Sequence, residues 1–197
     1  MNNPQTEQKN IVSRALYESL DWVEVFLTAL VTVILLFTFF FRIVVVSGAS
    51  METTLQNADY LVLTNLGYSP KQGDVVVLQT NGYSENKPLI KRVIATEGQW
   101  LDIYFDNWEV RVGESLDSME VLDEPYVQKL EIAMRSGDLT EFDFPMQIRE
   151  GHIFVMGDNR NNSFDSRNKS IGQVNVNSVI GRAAFRLFPM EKMGAVS

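Results

Sequence analysis

The sequence predicts a mainly β protein preceded by one membrane-spanning helix. Three observations carry this: a single membrane-length apolar run near the N-terminus, short apolar segments divided by turn residues after it, and an acidic stretch that interrupts them.

From Val25 to Phe41 every residue is apolar or Thr, and Ile43 to Val46 extends the run past Arg42. A bilayer needs roughly 20 such residues, so one span over 25–42 is the natural reading. Ser47-Gly48-Ala49 also resembles the small-x-small cleavage site of a secretory signal peptide. An apolar signal core is usually only ~7–15 residues, however, and here a polar segment over 1–24 precedes it. Lys9 and Arg14 before the span favour a cytoplasmic N-terminus, with everything after Arg42 on the outer side.

Beyond the span, Tyr60–Thr64, Asp74–Leu78, Leu89–Ala95, Trp100–Phe105, His152–Met156 and Val179–Phe188 read as strands. Gly67, Ser69-Pro70, Gln72-Gly73, Asn81-Gly82 and Gly157-Asp158-Asn159 separate them. Helical periodicity in this part is confined to the neighbourhood of Tyr126–Arg135. The net charge of -8 is unevenly placed: residues 102–150 hold 13 acidic and 4 basic residues, leaving the remainder at +1. The organisation predicted is a core over 43–105, an acidic insert over 106–150, the core resumed over 151–190, and a tail over 191–197.

Composition narrows the function. An apolar share of 45% with 12 Phe, 3 Trp and 6 Tyr can build a core, and the absence of Cys leaves the fold to packing alone. So acidic a chain has no basic face for phosphates, which argues against nucleic acid as a partner. The acidic stretch reads as a solvated insert: it lacks the regular Asp/Asn spacing and loop glycine of a calcium site. No metal and no cofactor is called for.

A serine hydroxyl attacks a carbonyl only when a base removes its proton. The sole histidine, His152, sits in the run His152-Ile153-Phe154-Val155-Met156 and reads as an ordinary strand residue. The alternative favoured over it is a lysine, which works as a base only when burial lowers its pKa from ~10.4. Strand alternation puts Lys91 on the face of Val93 and Ala95, an apolar setting. Ser50 follows the small residues Ser47-Gly48-Ala49, where backbone N–H groups can approach a developing oxyanion. Ser50 is the candidate nucleophile and Lys91 the candidate base.

These residues resemble the bacterial type I signal peptidases, membrane-bound Ser/Lys proteases that remove signal peptides from exported proteins. The resemblance runs from Val25 to Phe188 and rests on four blocks: 47–55 around Ser50, 73–76 (Gly-Asp-Val-Val), 91–95 around Lys91, and 157–167, Gly157-Asp158-Asn159 through Ser166-Arg167. It implies an antiparallel-sheet catalytic core with an inserted smaller cap domain, a catalytic domain outside the membrane, and preprotein substrates with small residues before the cut. It further implies that Ser50 attacks, that Lys91 takes its proton, and that the Ser50 backbone N–H forms the oxyanion hole. Ser163 matches the hydroxyl that orients the lysine, while Asp165 with Arg167 and Arg92 matches a buried ion-pair network. Asp158, Asn159 and Arg160 read equally as a turn cap or as part of the site.

Three positions depart from the family's pattern. Thr53 stands where many members carry Pro, which predicts a less rigid turn. Gly48 stands where some carry Ser, so that oxyanion donor is missing or replaced by a backbone group. Asn161 replaces a common Asp. The span also predicts lipid contact, since four residues from Val46 to Ser50 reach at most ~14 Å. Self-cleaving repressor-type Ser/Lys proteases share the dyad but lack such a span. Penicillin-binding proteins use Ser-x-x-Lys, yet Ser84-Glu85-Asn86-Lys87 and Ser166-Arg167-Asn168-Lys169 come without the accompanying motifs. A catalytically silent, membrane-tethered β module that binds exported chains is the non-enzymatic alternative. Oligomeric state is not readable from the sequence.

Overall fold

The computed structural model describes residues 20–35, 41–79, 87–105, 107–127 and 142–196. Contacts divide the chain into 1–42 and 43–197. In the first unit a helix covers 20–35. Among the described residues no helix is long and apolar enough to cross a membrane.

The end of the predicted span is corrected. Phe41–Val45 is a strand, β1, and it pairs with β2, Tyr60–Thr64. The reason lies in the β-branched run 43–46, whose side chains alternate: Ile43 and Val45 are exposed, Val44 half-buried and Val46 buried. Counting apolar residues merges this strand with the run before it.

The other predicted strands appear close to their expected bounds: β3 Val75–Leu78, β4 Leu89–Ala95, β5 Trp100–Tyr104, β9 His152–Met156 and β11 Val179–Phe188. Not anticipated were β6 Glu109–Gly113 and the two-residue strands β7 Glu120–Val121, β8 Met146–Gln147, β10 Val174–Asn175 and β12 Gly194–Ala195. Most of the helical expectation at Tyr126–Arg135 falls outside the described residues.

One sheet runs β1-β2-β11-β3-β4-β9-β10, with β12 on β11; a smaller one runs β7-β6-β5-β8. The smaller sheet recruits β5, so the insert's sheet begins at Trp100, ahead of the 105/106 boundary expected from charge. Pairing from β2 onward is antiparallel, with β4 between β3 and β9: Val76 faces Lys91, and Arg92 faces Met156. This interior position explains why Lys91 through Ala95 are all buried.

Met51, Leu55, Leu61, Leu63, Val75 and Val77 form one core cluster. Burying each such side chain contributes about 1.5–3 kcal/mol, and two of them, Met51 and Leu55, flank the turn that follows Ser50. A second cluster joins Ile94, Ala95, Phe154 and Met156 of the large sheet to Leu101, Ile103, Val110 and Val112 of the small one. The small sheet is therefore packed onto the large one.

Candidate active site

Ser50 lies in a turn fixed from both ends. Upstream, Val46 N–H donates to Asp59 carbonyl at 2.9 Å and Ala58 N–H to Val46 carbonyl at 2.9 Å. Gly48 takes φ +102°, a left-handed conformation that favours glycine. Downstream, Thr54 N–H and Leu55 N–H both donate to Met51 carbonyl, at 3.1 and 2.8 Å. Buried Met51 and Leu55 hold this turn to the core and leave Ser50 half-buried at the surface.

Lys91 reaches that turn from β4. Its side chain is 2% exposed. Nζ donates to Ser50 Oγ at 2.7 Å and to Ile90 carbonyl at 2.9 Å. Burial lowers the amine's pKa; Asp165 and Asp158 pull it upward and Arg167 downward, leaving it at about 8 instead of 10.5. At neutral pH a minority of the amine, on the order of a tenth, is unprotonated in the resting site.

The loop after β9 supplies the third side. Gly157 N–H donates to Asp165 Oδ2 at 2.9 Å. Asn159 N–H donates to Ser50 carbonyl at 3.0 Å, and its carboxamide nitrogen to Ala49 carbonyl at 3.1 Å. Ser166 binds Val155 in both directions, N–H to carbonyl at 3.1 Å and Oγ from N–H at 3.0 Å, which pins the loop back to β9.

The expected ion-pair network divides into two. Arg167 forks onto Asp165, Nε to Oδ1 and Nη2 to Oδ2, each at 2.8 Å with both side chains buried. Arg92 instead forks onto Asp158, Nε to Oδ1 at 2.9 Å and Nη2 to Oδ2 at 2.7 Å, and gives Nη1 to Gly73 carbonyl. Each carboxylate thus has its own guanidinium. A shared one would leave Asp158 buried and uncompensated. Burial alone would raise the Asp165 carboxyl, but Arg167 and the Gly157 N–H outweigh it and hold it below the usual carboxylate range.

Ser163 Oγ is buried beside Gly157 and the Asp165 carboxylate, and the lysine's second bond goes to Ile90 carbonyl. Gly48 N–H donates to Asn57 Oδ1 at 3.1 Å, so it is committed elsewhere as an oxyanion donor. Ser50 N–H has no acceptor among the described residues.

Asp158, Asn159 and Arg160 prove to be ties between segments: Asp158 to Arg92 and Thr54, Asn159 to the Ser50 turn, Arg160 to Glu124. Glu124 and Tyr126 were not expected here. The periodicity of the sequence carries no sign of such long-range pairing. His152 lies apart, its Nδ1 2.7 Å from Glu150 carbonyl, lining a separate cavity with Tyr68 and Glu97. No cluster of three or more His, Cys, Asp or Glu suited to a metal occurs among the described residues.

A cleft of about 590 Å³ opens on Ser50 and Lys91, bounded by 44–51 on one side and 87–91 on the other, with Asn162 and Phe164 at its edge. A serine hydroxyl 2.7 Å from a buried amine, both lining one cleft, is an arrangement suited to acyl transfer.

The sequence matches the family described as signal peptidase, peptidase S26, over residues 19–188. It is 34% identical over 179 residues to signal peptidase I P of Bacillus subtilis subsp. natto, covering 88% of this chain and 91% of that protein. It is 33% identical over 183 residues to a probable signal peptidase I-1 of Synechocystis, covering 87% and 84%. A crystal structure of a signal peptidase I from Enterococcus faecalis V583 aligns with a TM-score of 0.44 at 24% identity, covering 58% of this chain and 97% of that one. The chain belongs to the signal peptidase, peptidase S26, family.

Proposed function

We propose that this chain is a membrane-anchored serine endopeptidase that removes signal peptides from exported preproteins, with Ser50 attacking and neutral Lys91 as general base. The observation that carries it is the 2.7 Å contact between Lys91 Nζ and Ser50 Oγ in a buried setting. Family membership supplies the substrate class.

In this reading an extended substrate lies in the cleft and pairs with its walls as an added strand, small side chains entering shallow pockets. Lys91 accepts the Ser50 proton as Oγ bonds to the scissile carbonyl carbon, and the Ser50 N–H stabilises the oxyanion. Collapse breaks the C–N bond while the Lys91 ammonium gives its proton to the leaving amine. Water, deprotonated by Lys91, then attacks the acyl ester and frees Ser50. Asp165 with Arg167, and Arg92 with Asp158, hold the surrounding segments in place.

The anchor in this reading is the apolar run that begins at Val25, with the N-terminus cytoplasmic and the chain from β1 onward outside. Lipid contact follows from that placement.

The test is cleavage of a purified preprotein in detergent, with product mass fixing the cut. Wild type should release mature protein, and Ser50→Ala should release none while still unfolding cooperatively. Equal turnover by Ser50→Ala would defeat the reading; no turnover by wild type would favour the silent binding module.

A further inference from the structure

We propose that residues 124–126 of the acidic insert form a strap that positions the nucleophile turn, with Thr53, Tyr126 and Glu124 as positioning residues. The inference rests on the roles given above to Ser50 and Lys91.

Three segments set the distance between those two groups: the turn after Ser50, strand β4, and the loop at 157–160. The strap touches all three. Thr53, three residues past Ser50, donates its hydroxyl to the Tyr126 carbonyl. The Tyr126 ring lies against the Arg92 guanidinium, 3.7 Å from centroid to Cζ, and Arg92 adjoins Lys91 in β4. The Tyr126 hydroxyl donates to Glu124 Oε1 at 3.2 Å, and both Glu124 oxygens accept from Arg160, Nη1 to Oε2 at 2.9 Å. Arg160 follows Asn159, whose N–H holds the Ser50 carbonyl.

Backbone conformation gives a second, independent sign. Thr53 takes φ +94°, a value that is strained for a β-branched residue and closed to proline. Such strain persists where surrounding contacts over-determine it, and here the contact is the strap. Thr53 therefore marks a turn tied down through its side chain, in place of the looser turn that losing a proline predicts. Thr54 Oγ1 meanwhile sits between Asp158 and Arg92, so the same turn is clasped from beneath. The Arg92 guanidinium is held between a carboxylate and an aromatic face, which fixes it in direction as well as in charge.

The experiment measures kcat and KM for preprotein cleavage by the full chain, with melting temperature alongside. Thr53→Gly removes the tie and the strain together. Its melting temperature should equal or exceed wild type, kcat should fall about tenfold and KM should move by less than about twofold. Thr53→Ser, which keeps the hydroxyl, should restore most of the rate. Tyr126→Leu should reproduce the kcat loss; if it fails to fold, the two Thr53 variants decide alone. Wild-type kcat in Thr53→Gly, or a loss confined to KM, overturns the strap while leaving Ser50 and Lys91 in their roles. Cleavage that persists in Ser50→Ala overturns the underlying reading as well.

Discussion

The Asn159 backbone N–H donates to the Ser50 carbonyl at 3.0 Å, so the loop after β9 grips the candidate nucleophile by its own main chain. That grip depends on Gly157. A Cβ added there would collide with the Ser50 carbonyl oxygen and the Ser163 hydroxyl, one a backbone atom that cannot step aside. Gly157→Ala should push the loop off the turn and cut preprotein cleavage about 100-fold, with far-ultraviolet circular dichroism unchanged. A fully active Gly157→Ala would mean that the turn does not need this contact.

Holding an amine inside the core costs stability wherever the folded state resists protonation. For Lys91 the drop from 10.5 to about 8 corresponds to about 3 kcal/mol. Below pH 8 both folded and unfolded chains carry the proton and the whole penalty applies. Between pH 8 and 10.5 the folded chain releases it first, so stability rises, and above 10.5 the penalty is gone. Lys91→Met should therefore be inactive yet more stable than wild type at pH 7, by up to about 3 kcal/mol, with the difference shrinking toward pH 10. Denaturant titrations at pH 7 and 9.5 check this; a variant less stable at pH 7 would contradict it.

Two separate buried ion pairs predict a pattern of coupling. Removing Asp158 or Arg92 alone should cost about 3–5 kcal/mol, because each strands a buried charge. Removing both should recover part of that loss, giving a coupling of about 1–3 kcal/mol, whereas Arg92 and Asp165 should be additive within about 0.5 kcal/mol. Double-mutant cycles on unfolding free energy provide the comparison. Strong coupling between Arg92 and Asp165 would restore the single shared network.

What the sequence made legible follows the range of the interaction. Strands β2, β4, β9 and β11 were readable because their apolar runs end at Gly, Pro or Asn turns, a local signal. The contact between Ser50 and Lys91 was readable from local surroundings and from motif blocks. β1 was hidden because Ile43 to Val46 is as apolar as the run before it, and only alternation of burial separates the two. The partner of Arg92 was misassigned because Asp158 and Asp165 lie in one loop, and strand register decides which carboxylate a guanidinium meets. Glu124 and Tyr126 looked like surface residues of an acidic insert; their contacts with Arg160 and Arg92 exist only once the insert folds back.

The dependence of kcat/KM on pH for preprotein cleavage tests the central claim most directly, since it reports the essential base of the free enzyme. With Lys91 near 8, the rate should climb about tenfold per pH unit below that point and level off above it. A flat profile from pH 6 to 10, or a pH dependence that disappears in His152→Ala, would contradict a lysine base at Ser50.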